Sequence, residues 1–374
     1  MRIAIDARYL ARAESGIGSY TLNLIKALLE EDKDLELVLI GNSQTGRRCL
    51  QNSRVTEIYF PFPPVSPFTR RALGPFLRRL SFDVFHSPFE IVPWGLHTPS
   101  VVTLHDINWL VNPWYNSTNR LFRLVAGHYF RTSVRTAMQE ASRIVAVSYA
   151  TQRAIIEYAP WHAAKLCITY NGFDPTRVYP LDKDVAFRVL AHLIPPGTPF
   201  VLTVGQGVPY KNHLNAVRGF MAAFEERHDY RMILVRRLVG QDKALDTLLR
   251  NPWVQERVLT LPYVTPAVLN ALYNAARIVL HPSYYEGFGL PLLEAMAVGT
   301  PMVTSNISAM PEVAGPAALL VNPADAQAIA EALQRLEYDE VLRERLIAEG
   351  NKRLQLFSWS QCAQATLDVY RALV

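Results

Sequence analysis

Residues 283–315 read SYYEGFGLPLLEAMAVGTPMVTSNISAMPEVAG, and this stretch decides the fold. Just upstream, residues 276–281 form an apolar run of strand length that stops at His281-Pro282. Glu286-Gly287-Phe288-Gly289 then reads as a short loop. A helix is predicted over 290–298, with Pro291 in the first turn, where its missing N–H leaves no bond unmade. Gly287 and Gly289 lack a Cβ, so backbone amides there can approach a bound group closely. A helix start adds unbonded N–H groups and a partial positive charge. Gly287, Phe288, Gly289 and Leu290 are therefore the expected cradle of a diphosphate. Two carboxylates bracket it. Glu286 on the loop is placed to accept from sugar hydroxyls, and Glu294, one turn into the helix, from a ribose diol. A carboxylate buried without such a partner is costly. Acidic residues at a helix start also occur for dipole reasons alone.

Outward from this stretch, the chain alternates. Strand-like runs at 2–7, 35–40, 84–86, 100–104 and 143–147 precede a second series at 200–204, 231–235, 258–261, 276–281 and 300–304. Helix-like runs such as 20–31 lie between them. Alternation of this kind predicts α/β architecture, with parallel sheets covered by helices. A chain of 374 residues exceeds what one core usually holds. The polar segment 182–198, ending near Pro195-Pro196-Gly197, is the expected boundary, which gives a first domain over 1–185 and a second over 186–355. Two doubly wound domains would face each other across a cleft at the carboxyl ends of their strands.

Other residues fall at the ends of these strands. Gly16 and Gly18, in SGIGSY, follow the first strand and could approach a phosphate or an acceptor, or simply form a tight turn. A dinucleotide fingerprint would need a third glycine where Thr21 stands, so binding of NAD is poorly supported. Lys211 follows a strand and the glycines Gly205 and Gly207. His105 ends a strand and precedes Asp106, a position near the expected cleft. Ser305 and Asn306 close the strand after the Glu294 helix as further contacts.

The stretch 283–315 resembles the signature of glycosyltransferase family 4, in which two glutamates have seven residues between them, as Glu286 and Glu294 do. The resemblance extends through DARYLARAESGIGSY (6–20), VVTLHD (101–106), VSYATQ (147–152), ITYNGFD (168–174) and VGQGVPYKN (204–212). A terminal FSW (357–359) with a final helix is similar to the family's C-terminal crossover, so 356–374 would complete the first domain. The resemblance implies a GT-B fold of two Rossmann-like domains, the donor held mainly by the second and the acceptor by the first. It implies retention of anomeric configuration, with the leaving phosphate helping to remove the acceptor's proton, and no cofactor or metal beyond the nucleotide-sugar substrate. It makes Lys211 the cation that neutralises the diphosphate, and puts His105 beside the transferred sugar, where it would donate a hydrogen bond to a sugar hydroxyl or orient the pocket. Glu286 completes the expected catalytic set. Tyr263 and Val264 are where the family's backbone meets the base. Relatives often carry an arginine where this chain has Gln206 or Tyr210, and Arg236 or Arg237 is the expected substitute. The DARYL…SGIGSY segment is similar to bacterial mannosyl- and rhamnosyltransferases of surface-polysaccharide pathways. GDP-mannose is accordingly the expected donor, and a lipid-linked or polysaccharide-precursor glycan the acceptor. Two alternatives stand beside this: a transferase making a soluble glycoside or glucan from UDP-glucose, and a non-catalytic nucleotide-sugar-binding subunit.

Composition bounds the setting. Half the residues are hydrophobic, 19% are charged, and the net charge is +5. The excess lies in the first half, and between residues 43 and 135 eleven basic residues face four acidic ones. Such a local field attracts an anionic partner. No nucleic-acid-binding motif accompanies it, so anionic lipid is expected and nucleic acid is not. Ser66 to Asp83, SPFTRRALGPFLRRLSFD, alternates Arg70, Arg71, Arg78 and Arg79 with apolar residues. That pattern suits a headgroup interface, or an ordinary surface helix with its apolar side on the core. Gly74-Pro75 would split it into two pieces. No apolar run approaches the roughly 18 residues of a membrane span. The chain opens on a strand rather than a signal sequence. Cys49, Cys167 and Cys362 are scattered and show no ligand spacing, and Asp182-x-Asp184 reads as solvated charge rather than a metal site. A cytoplasmic protein, peripheral at the inner face of the membrane, is the expectation.

Overall fold

The computed structural model describes residues 1–12, 16–42, 50–117, 119–237 and 242–374, without the side chains of Ala11 and Arg12. Cys49 and residues 13–15 of the first glycine segment lie outside the described residues.

The chain forms two compact units. One comprises Met1–Val111, Ala126–Gly172 and Phe357–Val374, and the other Asn112–Val125 and Phe173–Leu356. The first holds seven strands: β1 (Arg2–Asp6), β2 (Glu36–Asn42), β3 (Val55–Phe60), β4 (Val84–Ser87), β5 (Ser100–Leu104), β6 (Arg143–Ala146) and β7 (Leu166–Ile168). They lie in the order β3-β2-β1-β4-β5-β6-β7, all parallel. The second holds β8 (Phe200–Gln206), β9 (Arg231–Arg237), β10 (Val258–Leu261), β11 (Ile278–His281), β12 (Met302–Ser305) and β13 (Ala318–Val321). Their order is β10-β9-β8-β11-β12-β13, again all parallel. The strand order therefore reverses between β1 and β4 in one sheet and between β8 and β11 in the other. At such a point the connections leave in opposite directions and open a crevice beyond the carboxyl ends of the strands.

Two strands have no forerunner in the sequence reading, β3 and β13, and each lies at the edge of its sheet; the edge strand β7 ends just before Asn171-Gly172, where a turn closing a strand is expected from the sequence. Central strands buried on both faces read as continuous apolar runs. These edges are only partly buried, and β3, VTEIYF, carries Glu57 in its middle.

The helix Trp359–Arg371 belongs to the first unit. It packs on the helix Gly16–Glu31 and buries Cys362, Ala363, Leu367 and Tyr370 in the core that contains Ile3, Leu24 and Leu28. The Tyr370 hydroxyl lies 2.5 Å from His86 Nδ1, and His86 Nε2 lies 2.8 Å from Thr103 Oγ1. Burial pushes the His86 imidazole down to about 3, so it is neutral.

In the segment 66–83 most of the apolar side lies on the core. Pro67–Leu77 is one helix that runs through Gly74-Pro75, capped by the Ser66 side chain accepting from Phe68 N. Leu73 and Leu77 are fully buried with Phe60 and Phe85, whereas Phe68 at the start of the same helix is 63% exposed. Arg70 is buried as well. Its guanidinium lies 4.6 Å from the Trp94 ring centre and donates to Thr136 Oγ1 (2.7 Å). Arg71, Arg78 and Arg79 are exposed. Gly74 permits the fit: a Cβ there would come within 1.8 Å of the Trp94 carbonyl oxygen.

Candidate active site

The second unit gathers its chemistry at the β8/β11 switch point. β8 leads into the turn Pro209–Lys211, and β11 ends at His281. Asn212 holds the two connections together. It adopts the left-handed conformation (φ 55°), and its side-chain amide donates to the carbonyls of Pro282 (2.9 Å) and Pro323 (2.7 Å). Tyr284 N donates to Tyr210 O (2.8 Å), a second tie between the same connections.

This framework delivers Lys211 to Glu286. Lys211 Nζ lies 2.5 Å from Glu286 Oε1, and both side chains are largely buried. His281 Nε2 (3.0 Å) and Ser283 Oγ (2.8 Å) donate to the same oxygen. Oε1 thus takes three donors while Oε2 takes none of them. Burial alone would raise the carboxyl's pKa, but Lys211 and His281 outweigh it and hold Glu286 well below the ordinary carboxylate range. The backbone of Glu286 is fixed too. Its N–H donates to Ser308 Oγ (3.0 Å), and that hydroxyl donates back to the Glu286 carbonyl (2.6 Å). Ser308 holds a positive φ of 61° to do so.

The loop then enters the helix Leu290–Ala297 through Gly289, whose φ is +107°. That conformation favours glycine, and a Cβ at this position would also displace the Met310 methyl, 2.5 Å away. Phe288 is buried beneath the loop. The helix directs its amino end, with its unbonded N–H groups, toward the loop. Glu294 Oε2 accepts from the Tyr273 hydroxyl at 2.6 Å. Burial raises the Glu294 pKa, and the tyrosine hydrogen bond only partly offsets it.

Gly205 lies within β8 rather than in a turn, and a Cβ on it would press on His213 Nε2 at 3.1 Å while only touching the Lys211 stem. Arg236 is buried and donates to Asp246 Oδ1 (2.8 Å), which commits its charge within the unit. Arg237 is exposed, with its guanidinium 5.0 Å from the ring centre of Tyr263. Tyr263 is itself 46% exposed, with Val264 beside it. Ser305 is buried and Asn306 exposed. It is Ser308, three residues beyond the strand, that reaches Glu286. Asp182 caps the helix Lys183–Leu190 by accepting from Asp184 N and Val185 N. Among the described residues no three His, Cys, Asp or Glu side chains gather as metal ligands would.

His105 belongs to the first unit, just past the end of β5. Its Nε2 lies 3.0 Å from the Pro88 carbonyl, an acceptor only, so this nitrogen carries the proton. Burial lowers its pKa to about 4. A neutral His105 with Nε2–H committed to Pro88 offers Nδ1 as an acceptor. It does not have the spare donor that the sequence reading gave it. Gly16 and Gly18 lie in the first turn of the helix Gly16–Glu31, not in a tight turn before it.

Five contributors were missed by sequence reasoning: Asn212, Tyr273, His281, Ser283 and Ser308. His281 was within reach, because the rule that singles out His105, a histidine at a strand's carboxyl end, applies equally to it. The pairings of Ser308 and Tyr273 are tertiary and leave no local signal.

Comparison with known proteins gives the family. Residues 15–177 match the model of Glycosyltransferase Family 4, and residues 189–353 that of Glycosyl transferases group 1. The O-antigen chain mannosyltransferase B of Escherichia coli is 29% identical over the whole of both chains. The alpha-maltose-1-phosphate synthase of Mycobacterium tuberculosis is 30% identical over 73% of each. Among solved structures, a sucrose-phosphate synthase from Thermosynechococcus elongatus superposes with a TM-score of 0.77 at 21% identity, covering 100% of this chain and 99% of that one. With two parallel doubly wound sheets, a paired lysine and glutamate at the second switch point, and both family matches in sequence order, this chain belongs to the GT-B glycosyltransferases, family 4 in its first half and group 1 in its second.

Proposed function

We propose that the protein is a retaining mannosyltransferase that moves mannose from GDP-mannose onto a lipid-linked surface-polysaccharide precursor, at the inner face of the cytoplasmic membrane. The observation that carries the donor half of this reading is the Lys211–Glu286 pair at 2.5 Å, held at the β8/β11 switch point beside a helix amino end. Glu286, anchored through Oε1, presents Oε2 to the sugar hydroxyls. Lys211 and the amides of Gly287 to Leu290 meet the diphosphate. Glu294, oriented by Tyr273, accepts from the ribose. Tyr263, Val264 and Arg237 flank the base. The mannose and polysaccharide parts rest on the likeness to the O-antigen mannosyltransferase over the full chain.

In the proposed reaction the sugar–phosphate bond breaks as the acceptor hydroxyl bonds to the same face of the anomeric carbon. The acceptor's proton passes to the departing phosphate oxygen. The fixed cation and helix end stabilise the charge growing on the leaving group, the role a divalent metal would otherwise fill. His105 accepts a sugar hydroxyl at Nδ1.

Thermal unfolding with GDP, UDP, GDP-mannose, UDP-glucose, dTDP-rhamnose and NAD, each with EDTA, tests this. A ligand that binds only the folded chain adds about 2.7 kcal/mol at a hundredfold excess over its Kd. GDP and GDP-mannose should protect, and Lys211→Ala should abolish the protection. Protection by UDP-glucose alone would favour the soluble glycoside or glucan reading, which the likeness to alpha-maltose-1-phosphate synthase supports. Protection only without EDTA would sink metal independence, and protection by NAD alone would sink the transferase reading.

A further inference from the structure

The helix 67–77 exposes one large apolar side chain, Phe68, and a larger exposed apolar surface occurs elsewhere. Between residues 111 and 125 the chain exposes Trp114 and Leu121 (71% each), Val125 (69%) and Leu124 (66%), together with Val111 and Tyr115. Trp114 lies on the turn Pro113–Tyr115, and the others that follow lie on the start of the helix Arg120–Glu140. Arg123 joins the two pieces, its guanidinium 4.8 Å from the Trp114 ring centre and donating to Ser117 O (2.7 Å). Leu121, Leu124 and Val125 share one helix face by their i, i+3, i+4 spacing. The buried positions of this helix begin only at Gly127 and continue through Val134, Ala137 and Met138. Its first turns therefore present leucine and valine to solvent with no core behind them. A patch of this kind on a folded chain marks a contact surface.

The charge around it selects the occupant. Residues 107–139 contain no Asp or Glu, and they contain four arginines, Arg120, Arg123, Arg131 and Arg135. A second copy of the chain would bring these arginines against their own kind, because a two-fold interface is self-complementary. An anionic bilayer surface satisfies both halves of the patch. The apolar side chains enter the acyl boundary, and the guanidinium groups meet phosphate headgroups.

We propose that Trp114 and the face of Leu121, Leu124 and Val125, flanked by Arg120 and Arg123, dock the protein on anionic lipid, and that the segment 66–83 does not. This goes beyond the donor reading and does not depend on it. The test is flotation of the full chain with vesicles of phosphatidylcholine alone, or of phosphatidylcholine mixed with phosphatidylglycerol. The wild type should float with the mixed vesicles only. Leu121→Asp/Leu124→Asp should weaken binding by about tenfold or more. Arg120→Glu/Arg123→Glu should do the same and reduce its salt dependence. Arg71→Glu/Arg78→Glu/Arg79→Glu should stay within about twofold of wild type. Unchanged melting temperature and unchanged protection by GDP in these variants would separate lost docking from lost folding and from a failed donor site. A wild type that stays unbound, or a Leu121→Asp/Leu124→Asp variant that floats like it, would overturn the proposal. So would a wild-type dimer that this variant turns into a monomer, since the patch would then be a self-contact.

Discussion

Glu286 and Glu294 are separated by one glycine loop and one helical turn, yet their surroundings act on them in opposite directions. Glu286 meets a lysine, a histidine and a serine on one oxygen, and is held ionised against the cost of burial. Glu294 meets a phenol, and burial wins. Under the proposed reading, the difference lets one motif carry two jobs. A carboxylate pinned by a cation is a fixed charge, fit to orient a reacting sugar beside a leaving group. A carboxylate whose charge is only hydrogen-bonded is a strong neutral-partner acceptor, fit for a diol. Loss of the cation should therefore convert the first into the second.

The largest expected effect comes from that conversion. Lys211→Ala should lower the transfer rate by about a hundredfold to a thousandfold in initial-rate assays, the scale for removing one fixed charge-stabilising group. It should also cost about 3 kcal/mol in denaturant unfolding, because Glu286 is left buried without its cation. A loss under tenfold would place the leaving-group charge elsewhere. Glu286→Gln should follow, with a rate about tenfold to a hundredfold lower while GDP still protects the fold. Its pH profile sharpens the contrast. The depressed Glu286 pKa contributes stability present above the ordinary value of about 4.5 and lost as pH falls toward the folded value. The acid limb of the unfolding curve should therefore flatten in this variant.

A third carboxylate, in the first unit, extends the comparison. Glu90 is pushed up to about 7 by burial, with Asp106 adding to the rise. An acid with a raised pKa binds its proton more tightly in the folded chain. Its contribution is most favourable below about 4.5 and is lost as pH rises to about 7. Glu90→Gln should accordingly stabilise the protein by about 1–3 kcal/mol at pH 8 and by little at pH 5, measured by unfolding at both. Stabilisation that is equal at both would show that packing and not charge is responsible. The smallest effect is expected at the neutral partner. Tyr273→Phe should weaken nucleotide binding by about threefold to tenfold, the worth of one ordinary hydrogen bond, and leave the maximal rate unchanged.

How much of this was legible follows the same physics. Central strands such as β5 and β8 declared themselves, because burial on both faces forces unbroken apolar runs. The edge strands β3 and β13 did not, because a half-wet strand looks like a loop, whereas the edge strand β10 could be read because VLTL is still a short apolar run. The loop glycines and both glutamates could be read, since a backbone with φ near +107° at Gly289 leaves few residue types possible. The direction of an amphipathic helix could not. The helices 67–77 and 120–140 both mix arginines with apolar residues, and only the fold shows that Leu73 faces the core while Leu124 faces solvent. His105 illustrates a finer limit. Its place at a strand end was readable, but its protonated nitrogen is set by the Pro88 carbonyl seventeen positions earlier.

The helix Trp359–Arg371 has a consequence for synthesis. Its Leu367 and Tyr370 fill the core of the unit whose first strand begins at Arg2. A nascent chain has made all of the second unit once Leu356 has emerged, whereas the first unit must wait for residues from beyond it. The part of the protein translated first is thus the part that finishes folding last. Until then its sheet stands with a share of its apolar surface uncovered, which makes the interval before Tyr370 emerges the one in which a chaperone matters most.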